Sequence, residues 1–263
     1  MKAKTNGIET SYELHGKEGA PWLVLSHSLA CSVRMWDPQI AALKGSYRIL
    51  AYDTRGHGAS GAPQGAYSLE MLADDLKGLL DALGVKNPHF CGLSMGGMIG
   101  QTFALKYPGV FKTLTLADTT SRYPAEAWPL WQDRIKLAEE KGMAPLVPPT
   151  LERWFTEAFR KSNPGPVAAI AKLIAATPVA GYAGCCHAIP KINLTSRLKA
   201  IKTPLLVICG DQDPGTPPAM SEEIHDNAPG SKLVMIPRAA HLSNLENPAA
   251  FTKAMREFLG AHG

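Results

Sequence analysis

Short apolar runs recur along the chain and are separated by stretches in which hydrophobic residues follow a helical spacing. The runs are rich in Leu, Val and Ile and have the length of buried strands. They lie at residues 22–28, 47–53, 88–93, 113–118, 204–210 and 232–237. The amino-terminal segment 2–16 and the run 22–28 that follows it are predicted to form a hairpin leading into the sheet.

Amphipathic helices are predicted at residues 68–84, 95–108 and 247–260. In the first of these, six leucines fall near a spacing of 3.6 residues. Ser68 is placed to cap its start, and Gly84 tolerates the positive φ with which helices often end. In the last, Asn247 is placed as the cap and Pro248 in the first turn.

The alternation of strands and helices predicts an α/β fold with a mostly parallel central sheet and helices on both faces. It is interrupted between about residues 119 and 197, where prolines, helical stretches and large aromatic residues replace the strands. We therefore expect a core formed by residues 1–118 and 198–263, and a helical cap formed by residues 119–197.

The composition is that of a folded globular domain, because 45% of the 263 residues are hydrophobic and 19% are charged. The net charge of +4 is mild, and no block of five like charges occurs, so nucleic acid and membrane are not expected as partners. No run of 18 apolar residues could span a bilayer, and the amino terminus has no signal-peptide core. A homo-oligomer stays open.

The five cysteines are an odd number, form no C-x-x-C pair and cannot make a complete disulfide framework. The adjacent Cys185 and Cys186 are interpreted as two small buried residues, with a redox switch as the alternative. A cytoplasmic, reducing location is therefore expected.

The stretch "HFCGLSMGG", residues 89–97, sets Ser94 between glycines directly after a strand. Gly92, Ser94 and Gly96 form a G-x-S-x-G pattern that follows a strand and opens a helix, which is the context of a nucleophile elbow. Such a turn aims the hydroxyl outward beside the free N–H groups of the helix start. Ser94 is therefore the candidate nucleophile, and the alternative is an ordinary serine in a glycine-rich connection.

A serine hydroxyl needs a base at neutral pH, and His241 is the candidate because it follows the last apolar run. The alternative is a solvated loop histidine. If His241 is the base, activity should decline in acid near the unperturbed imidazole pKa of ~6.5. Of the other histidines, His57 is expected to serve turn structure, and His27 lies beside the loop predicted to bind the oxyanion.

The imidazole in turn needs a carboxylate that orients it. Asp213, in "CGDQDPGTPP", is favoured over Asp211, whose carboxylate can be occupied by hydrogen bonds of the turn. Asp118, at the end of the run 113–118, is the rival acid.

Negative charge that develops on the substrate oxygen needs two fixed donors. The N–H group of Met95, the residue after the nucleophile, is expected to be one of them. The N–H group of Leu29, in the loop "HSLACS" after the first buried strand, is expected to be the other, although that loop could also be a simple turn.

Ser94, Asp213 and His241 occur in the chain order of the α/β-hydrolases, and the sequence resembles that superfamily over essentially its whole length. Within it, the sequence is most similar to the 3-oxoadipate enol-lactonases of the β-ketoadipate pathway. The stretches that carry the resemblance are "LSHSLACSVRMWDPQ", "YDTRGHGASGAP", "LADDLKGLLDALG", "GLSMGG", "EAWPLWQDR", "GYAGCC" and "HLSNLENPAAF". His-Ser-Leu at 27–29 is more specific than the motifs that much of the superfamily shares.

The resemblance implies an α/β-hydrolase fold and a carboxylic ester hydrolase that opens a small lactone or ester through an acyl-enzyme, without a metal or organic cofactor. It also implies that Ser28 and Trp128 contact the substrate. Because the enol-lactone carries a carboxylate, a cation should lie near the pocket, with Arg122 as the first candidate and Arg34 as the second. Asp118 departs from the family pattern, and its negative charge would be unfavourable near an anionic substrate.

Three alternatives stay open at this stage. The protein could be a broad carboxylesterase or a hydrolase of another lactone or an amide. It could be a cofactor-free perhydrolase or haloperoxidase on the same scaffold. It could also be a ligand-binding protein that retains a hydrolase fold without catalysis.

Overall fold

The computed structural model describes residues 1–263, which form one eight-stranded sheet. The strands are β1 Lys2–Thr5, β2 Ile8–His15, β3 Trp22–Ser26, β4 Arg48–Tyr52, β5 His89–Leu93, β6 Thr113–Ala117, β7 Leu205–Gly210 and β8 Lys232–Ile236. Their order across the sheet is β1-β2-β4-β3-β5-β6-β7-β8, and only the pairings of β2 with β1 and with β4 are antiparallel. The predicted mostly parallel sheet is therefore confirmed.

The amino-terminal hairpin differs from the prediction. β1 pairs with β2 through a turn at Asn6 and Gly7, and Gly7 has a left-handed φ of 80°. Asn-Gly favours such a tight turn because both residues tolerate positive φ. β3 does not pair with β2, since it lies between β4 and β5. The expected hairpin between segments 2–16 and 22–28 is wrong, because the chain already turns back within the first segment.

Eleven α-helices accompany the sheet. They are α1 Asp37–Leu43, α2 Leu69–Ala82, α3 Met95–Lys106, α4 Trp128–Lys141, α5 Val147–Trp154, α6 Glu157–Ser162, α7 Pro164–Ala176, α8 Val179–Ala188, α9 Pro218–Asn227, α10 Ser243–Glu246 and α11 Pro248–Gly260. The three predicted helices correspond to α2, α3 and α11. Ser68 accepts a hydrogen bond from the Met71 N–H at 3.1 Å, Asn247 accepts one from the Ala250 N–H at 3.2 Å, and Gly84 has a φ of 63°.

The neighbouring strands β3, β5, β6, β7 and β8 run parallel, so their carboxyl ends meet at one edge of the sheet. β5, β6 and β7 are buried along their whole length, which is why they read as unbroken apolar runs. The loops that follow β3, β5, β7 and β8 at this edge contain the candidate catalytic residues.

The segment between β6 and β7 contains α4 to α8 and no strand. Its helices bury their own apolar side chains, among them Trp131, Ile135, Ile170 and Ile174. Residues of α4, α5 and α8 line the same cavity as Ser94, so this helical segment covers the carboxyl edge of the sheet.

No single helix has the length and hydropathy needed to cross a membrane. Only the pair Pro164–Ala176 and Val179–Lys191, which is bent by 92°, reaches that length and hydropathy when the two helices are taken together.

Candidate active site

Ser94 lies in the turn between β5 and α3. Its backbone has φ 56° and ψ −115°, a conformation that residues with a side chain rarely adopt. A Cβ atom at Gly92 would lie 2.2 Å from the Gly96 carbonyl oxygen, and a Cβ atom at Gly96 would lie 2.2 Å from the Ser26 carbonyl oxygen. The two glycines therefore allow the close approach of strand and helix that holds Ser94 in this conformation.

The loop after β8 brings His241 to Ser94. His241 Nε2 lies 2.9 Å from Ser94 Oγ, and His241 Nδ1 lies 2.8 Å from Asp213 Oδ2. All three side chains are buried. In this arrangement the imidazole can take the proton of the hydroxyl, while the carboxylate fixes the tautomer that leaves Nε2 free to do so.

Asp213 is held in place by donors of its own loop. Its Oδ1 accepts hydrogen bonds from the N–H groups of Gly215 at 2.7 Å and Thr216 at 3.1 Å, and its Oδ2 accepts one from the Thr216 hydroxyl at 2.8 Å. Asp211 is exposed and accepts a hydrogen bond from a backbone N–H at 3.3 Å. The structure thus brings Asp213, and not Asp211, to His241.

Asp118, the rival acid, is buried beside Asp213. It accepts hydrogen bonds from the Gly210 N–H at 2.8 Å and the Ser243 hydroxyl at 2.6 Å. Burial, and then the charge of Asp213, raise the pKa of Asp118 well above its usual range, which favours the neutral form of this carboxyl group. It does not line the cavity at Ser94. The repulsion of an anionic substrate that the sequence suggested is therefore relieved.

Asp118 and Asp213 also lie close to the thiol of Cys209. Ligand atoms of Asp118, Cys209 and Asp213 lie within 4.8 Å of one another, a composition that a metal ion could use. Both carboxyl groups already accept hydrogen bonds from protein donors, and Asp213 also contacts His241. These contacts occupy both carboxyl groups within the protein, and Asp213 orients the imidazole.

On the acidic side of the pH–rate profile, the midpoint is predicted to lie above the value of ~6.5 that the sequence alone suggests. Burial lowers the pKa of His241, but the adjacent Asp213 carboxylate, by its charge and its hydrogen bond, raises it, and the net pKa is above 6.5. Because the base must be neutral to accept a proton, kcat/KM should fall as the pH decreases, with a midpoint above 6.5. A pH–rate profile measures this midpoint, and Asp213→Asn should shift it downward. A wild-type midpoint at or below 6.5 would contradict the prediction.

The backbone N–H groups of Leu29 and Met95 are free beside this arrangement. Met95 is the first residue of α3, where helical N–H groups have no partner within the helix. Leu29 lines the same cavity as Ser94. Neither N–H group donates a hydrogen bond within the protein. Both are thus available to an oxygen that carries negative charge.

A cavity of about 170 Å³ opens onto Ser94 and His241. On the side of the helical segment its wall contains aromatic side chains, namely Tyr123, Trp131, Trp154 and Tyr182. The Trp154 ring lies 6.0 Å from the His241 ring, centroid to centroid. The small volume and the aromatic wall suit a small ligand.

Two arginines line the same cavity, Arg134 from α4 and Arg153 from α5. Every ion pair that an arginine makes in this chain involves Arg34, Arg55 or Arg122, so Arg134 and Arg153 have no carboxylate partner. Burial, and then the positive charge of Arg134, lower the pKa of Arg153. Two neighbouring cations without an ion-pair partner at a cavity favour an anionic ligand.

The two arginines that the sequence suggested lie elsewhere. Arg122 Nη2 is 2.7 Å from Glu223 Oε1, and the Arg122 side chain is 59% exposed. Arg34 Nη1 is 3.2 Å from Asp37 Oδ1, and the Arg34 side chain is 46% exposed. Neither lines the cavity. Both expectations are corrected, because carboxylates at the surface already neutralise these guanidinium groups.

Of the two other predicted substrate contacts, Ser28 lines the cavity and Trp128 does not. Ser28 Oγ is buried and has no hydrogen-bond partner in the protein. The Trp128 ring instead has the Lys191 ammonium 5.7 Å from its centroid. Trp131 and Arg134, three residues apart on one face of α4, line the cavity, and the motif "EAWPLWQDR" already contained both of them.

The loop that carries His241 is hydrogen-bonded to the helical segment above it. The Glu246 carboxylate accepts hydrogen bonds from the backbone N–H of Ala240 and, at 2.8 Å each, from the N–H and hydroxyl groups of Thr156. The Leu242 N–H donates to the Trp154 carbonyl oxygen at 3.1 Å. Residues on both sides of His241 are therefore joined to segment 154–156.

A nucleophile, a base and an acid assembled at the carboxyl edge of a mostly parallel sheet define a serine hydrolase of the α/β class. Residues 21–248 match the model of the alpha/beta hydrolase fold. The chain belongs to the α/β-hydrolase family and is a hydrolase, as the sequence predicts.

Several relatives cover nearly the whole chain. A 3-oxoadipate enol-lactonase of Acinetobacter baylyi is 36% identical over 94% of this chain and 92% of its own length. The crystal structure of the enol-lactonase from Burkholderia xenovorans LB400 is 38% identical, covers 99% of this chain and 100% of its own, and has a TM-score of 0.95. A thermophilic esterase from Thermogutta terrifontis, solved with malate bound, is 30% identical, covers 100% and 99%, and has a TM-score of 0.94.

Proposed function

We propose that this protein opens a small enol-lactone that carries a free carboxylate, and that 3-oxoadipate enol-lactone is such a substrate. The observation that carries the proposal is the position of Arg134 and Arg153, two cations without an ion-pair partner, in the cavity that opens onto Ser94. The similarity to enol-lactonases supports it independently.

In the proposed mechanism, Ser94 Oγ attacks the lactone carbonyl carbon while His241 Nε2 takes the hydroxyl proton. Asp213 orients the imidazole and stabilises its protonated form. The N–H groups of Leu29 and Met95 bind the oxyanion of the tetrahedral intermediate. Collapse of this intermediate breaks the ring C–O bond, and His241 returns the proton to the leaving oxygen.

The leaving oxygen of a lactone stays attached to the acyl group, so the whole opened chain remains in the cavity until water attacks the ester of Ser94. His241 then acts as base toward the water, and hydrolysis releases a product with one more carboxylate than the substrate. In this proposal residues 119–197 act as the helical cap of the core 1–118 and 198–263. The cap supplies both arginines, and Ser28 Oγ, which has no protein partner, binds a polar group of the substrate.

The substrate proposal is tested by initial rates on three compounds: 3-oxoadipate enol-lactone, an uncharged lactone of similar size and an aryl acetate. The expected kcat/KM for the carboxylated lactone is at least about 100-fold above the other two, since two charge-assisted hydrogen bonds are made only there. Equal rates on all three would instead indicate a broad carboxylesterase. Halogenation that depends on peroxide, without lactone turnover, would indicate a haloperoxidase.

We also propose a reducing compartment, which the cysteines support. All five are free and buried. Burial raises the pKa of the Cys186 thiol to about 12, so it is unreactive at neutral pH. Cys185, its neighbour on α8, is equally buried, and both pack as small core residues.

A further inference from the structure

The buried His27, in the loop after β3, donates a hydrogen bond to the peptide group that joins Ser28 to Leu29. His27 Nε2 accepts a hydrogen bond from the Thr54 N–H at 2.9 Å, so the proton of the neutral ring is on Nδ1. Nδ1 lies 2.7 Å from the Ser28 carbonyl oxygen and donates to it. The side chain is fully buried.

A second buried imidazole, that of His57, contacts the following peptide group. His57 Nε2 accepts a hydrogen bond from the Ala30 N–H at 2.9 Å, and Nδ1 donates to the Arg55 carbonyl oxygen at 3.1 Å. Burial lowers the pKa of His27 to about 4 and, with the nearby His27, that of His57 to about 3. Both rings therefore stay neutral, each in one tautomer, over the pH range in which a serine hydrolase works.

These contacts fix the direction of the Leu29 N–H. In a trans peptide the C=O of Ser28 and the N–H of Leu29 point in opposite directions. His27 holds that carbonyl from one side, with help from the Cys31 N–H at 3.2 Å, so the Leu29 N–H must point to the other side. The peptide group that joins Leu29 to Ala30 is fixed by the hydrogen bond from the Ala30 N–H to His57 Nε2. Ala30 itself has a left-handed φ of 55°.

We propose that His27 and His57 are positioning residues that aim the Leu29 N–H at the substrate oxyanion. This inference rests on the proposed hydrolysis and adds to it the groups that preorganise one of its two donors. Preorganisation matters because a donor that is aimed before the reaction costs no reorganisation when the charge develops.

The test uses the different atoms through which the two histidines act. The proposal requires Nδ1 of His27, and the amide nitrogen of an asparagine can take that place. It requires Nε2 of His57, and the amide oxygen of a glutamine can take that place. The four variants are therefore His27→Asn, His27→Gln, His57→Asn and His57→Gln.

The expected result is a crossed pattern. His27→Gln and His57→Asn should each lower kcat on the order of tenfold to a hundredfold with little change in KM. This decrease is a part of the decrease that complete removal of an oxyanion donor causes, because the Leu29 N–H is still present but no longer fixed in direction. His27→Asn and His57→Gln should keep most of the activity. A purely structural role predicts no such crossing, and kcat would then follow thermal stability in all four variants, which would overturn the proposal.

Two ligands separate transition-state from ground-state binding. A boronic acid that adds to Ser94 places a negatively charged oxygen at the oxyanion position, whereas the product carboxylate does not require it. Boronate affinity should fall in proportion to kcat in His27→Gln and His57→Asn, while product affinity stays unchanged. His89→Gln is the matched control, because His89 is a buried histidine at the far end of β5 from Ser94 and contacts Thr113. It should leave kcat unchanged.

A direct measurement follows the Leu29 amide itself. Labelling Ser carbonyl carbons and Leu amide nitrogens selects only the Ser-Leu pairs 28–29 and 68–69, so Leu69 in α2 is an internal reference. Boronate should shift the Leu29 amide proton downfield in the wild type and in His27→Asn, and less in His27→Gln, with Leu69 unmoved. Equal shifts in all variants would overturn the proposal.

If one His27 variant fails to fold, the two His57 variants decide between the outcomes. A wild-type enzyme without lactone or ester turnover would instead refute the proposed function.

Discussion

Ser94→Ala is expected to lower turnover about a millionfold while the protein still folds. The hydroxyl is the only group that His241 Nε2 reaches at hydrogen-bond distance, and the imidazole and Asp213 have no role in covalent catalysis without it. Alanine keeps the Cβ atom of the strained turn, so the backbone at φ 56° meets no new steric conflict. The remaining rate should come from the oxyanion donors and from binding alone.

The measurement is kcat on the preferred lactone together with a thermal melt of each protein. Ser221→Ala is the matched control, because Ser221 is a fully buried serine on α9 that does not line the cavity. It should keep wild-type turnover. A fluorophosphonate should label the wild type at one site and Ser94→Ala at none. Retention of a tenth of the wild-type rate by Ser94→Ala would refute the proposed mechanism.

The second large effect is expected at the two arginines of the cavity. The double variant Arg134→Met, Arg153→Met should lower kcat/KM for the carboxylated lactone on the order of a thousandfold. Each charge-assisted hydrogen bond contributes roughly 1.5–3 kcal/mol, and about 1.4 kcal/mol corresponds to a factor of ten. Methionine keeps much of the length of the side chain, so the cap packing against Trp131 and Trp154 is largely preserved.

An uncharged ester serves as the internal reference for this variant, since its turnover uses Ser94 and not the arginines. It should change by less than about threefold, because no carboxylate contact is lost. Arg122→Met is the control for the arginine that the sequence suggested. It should leave kcat/KM for both substrates unchanged, because Arg122 pairs with Glu223 outside the cavity. An equal loss on both substrates in the double variant would show that the arginines support the fold and do not read the carboxylate.

The parts of the fold that the sequence predicts well are those set by local rules. Ser68 and Asn247 cap helices because their side chains reach backbone N–H groups two or three residues away, and the strand runs are continuous because the strands are buried on both faces. The hairpin was missed although its signal, Asn6-Gly7, was present. An Asn-Gly dipeptide specifies a tight hairpin turn more strongly than the length of the apolar run 22–28 specifies its partner strand.

The candidate site also has residues that local sequence rules predict and residues that these rules do not. Ser94 and His241 follow from their places after buried strands, and Asp213 from its place two residues further into its loop than Asp211. The cations could not be found by such rules. The place of Arg122 at the start of segment 119–197 suggested it, whereas the packing of α4 and α5 brings Arg134 and Arg153 to the cavity. The raised pKa of Asp118 likewise depends on burial and on the nearby Asp213, neither of which spacing reveals.

The hydrogen bonds of Glu246 with Thr156 and Ala240 have a consequence for how specificity can diversify in this scaffold. Suppose that the lid, residues 119–197, were replaced as a whole by the lid of a homologue. The replacement would displace the general base, His241, unless the new lid had the same backbone conformation at positions 154–156. Substitutions elsewhere in the insertion leave that junction intact. New substrate ranges should therefore arise more readily by point changes on α4 and α8 than by transplanting the entire insertion.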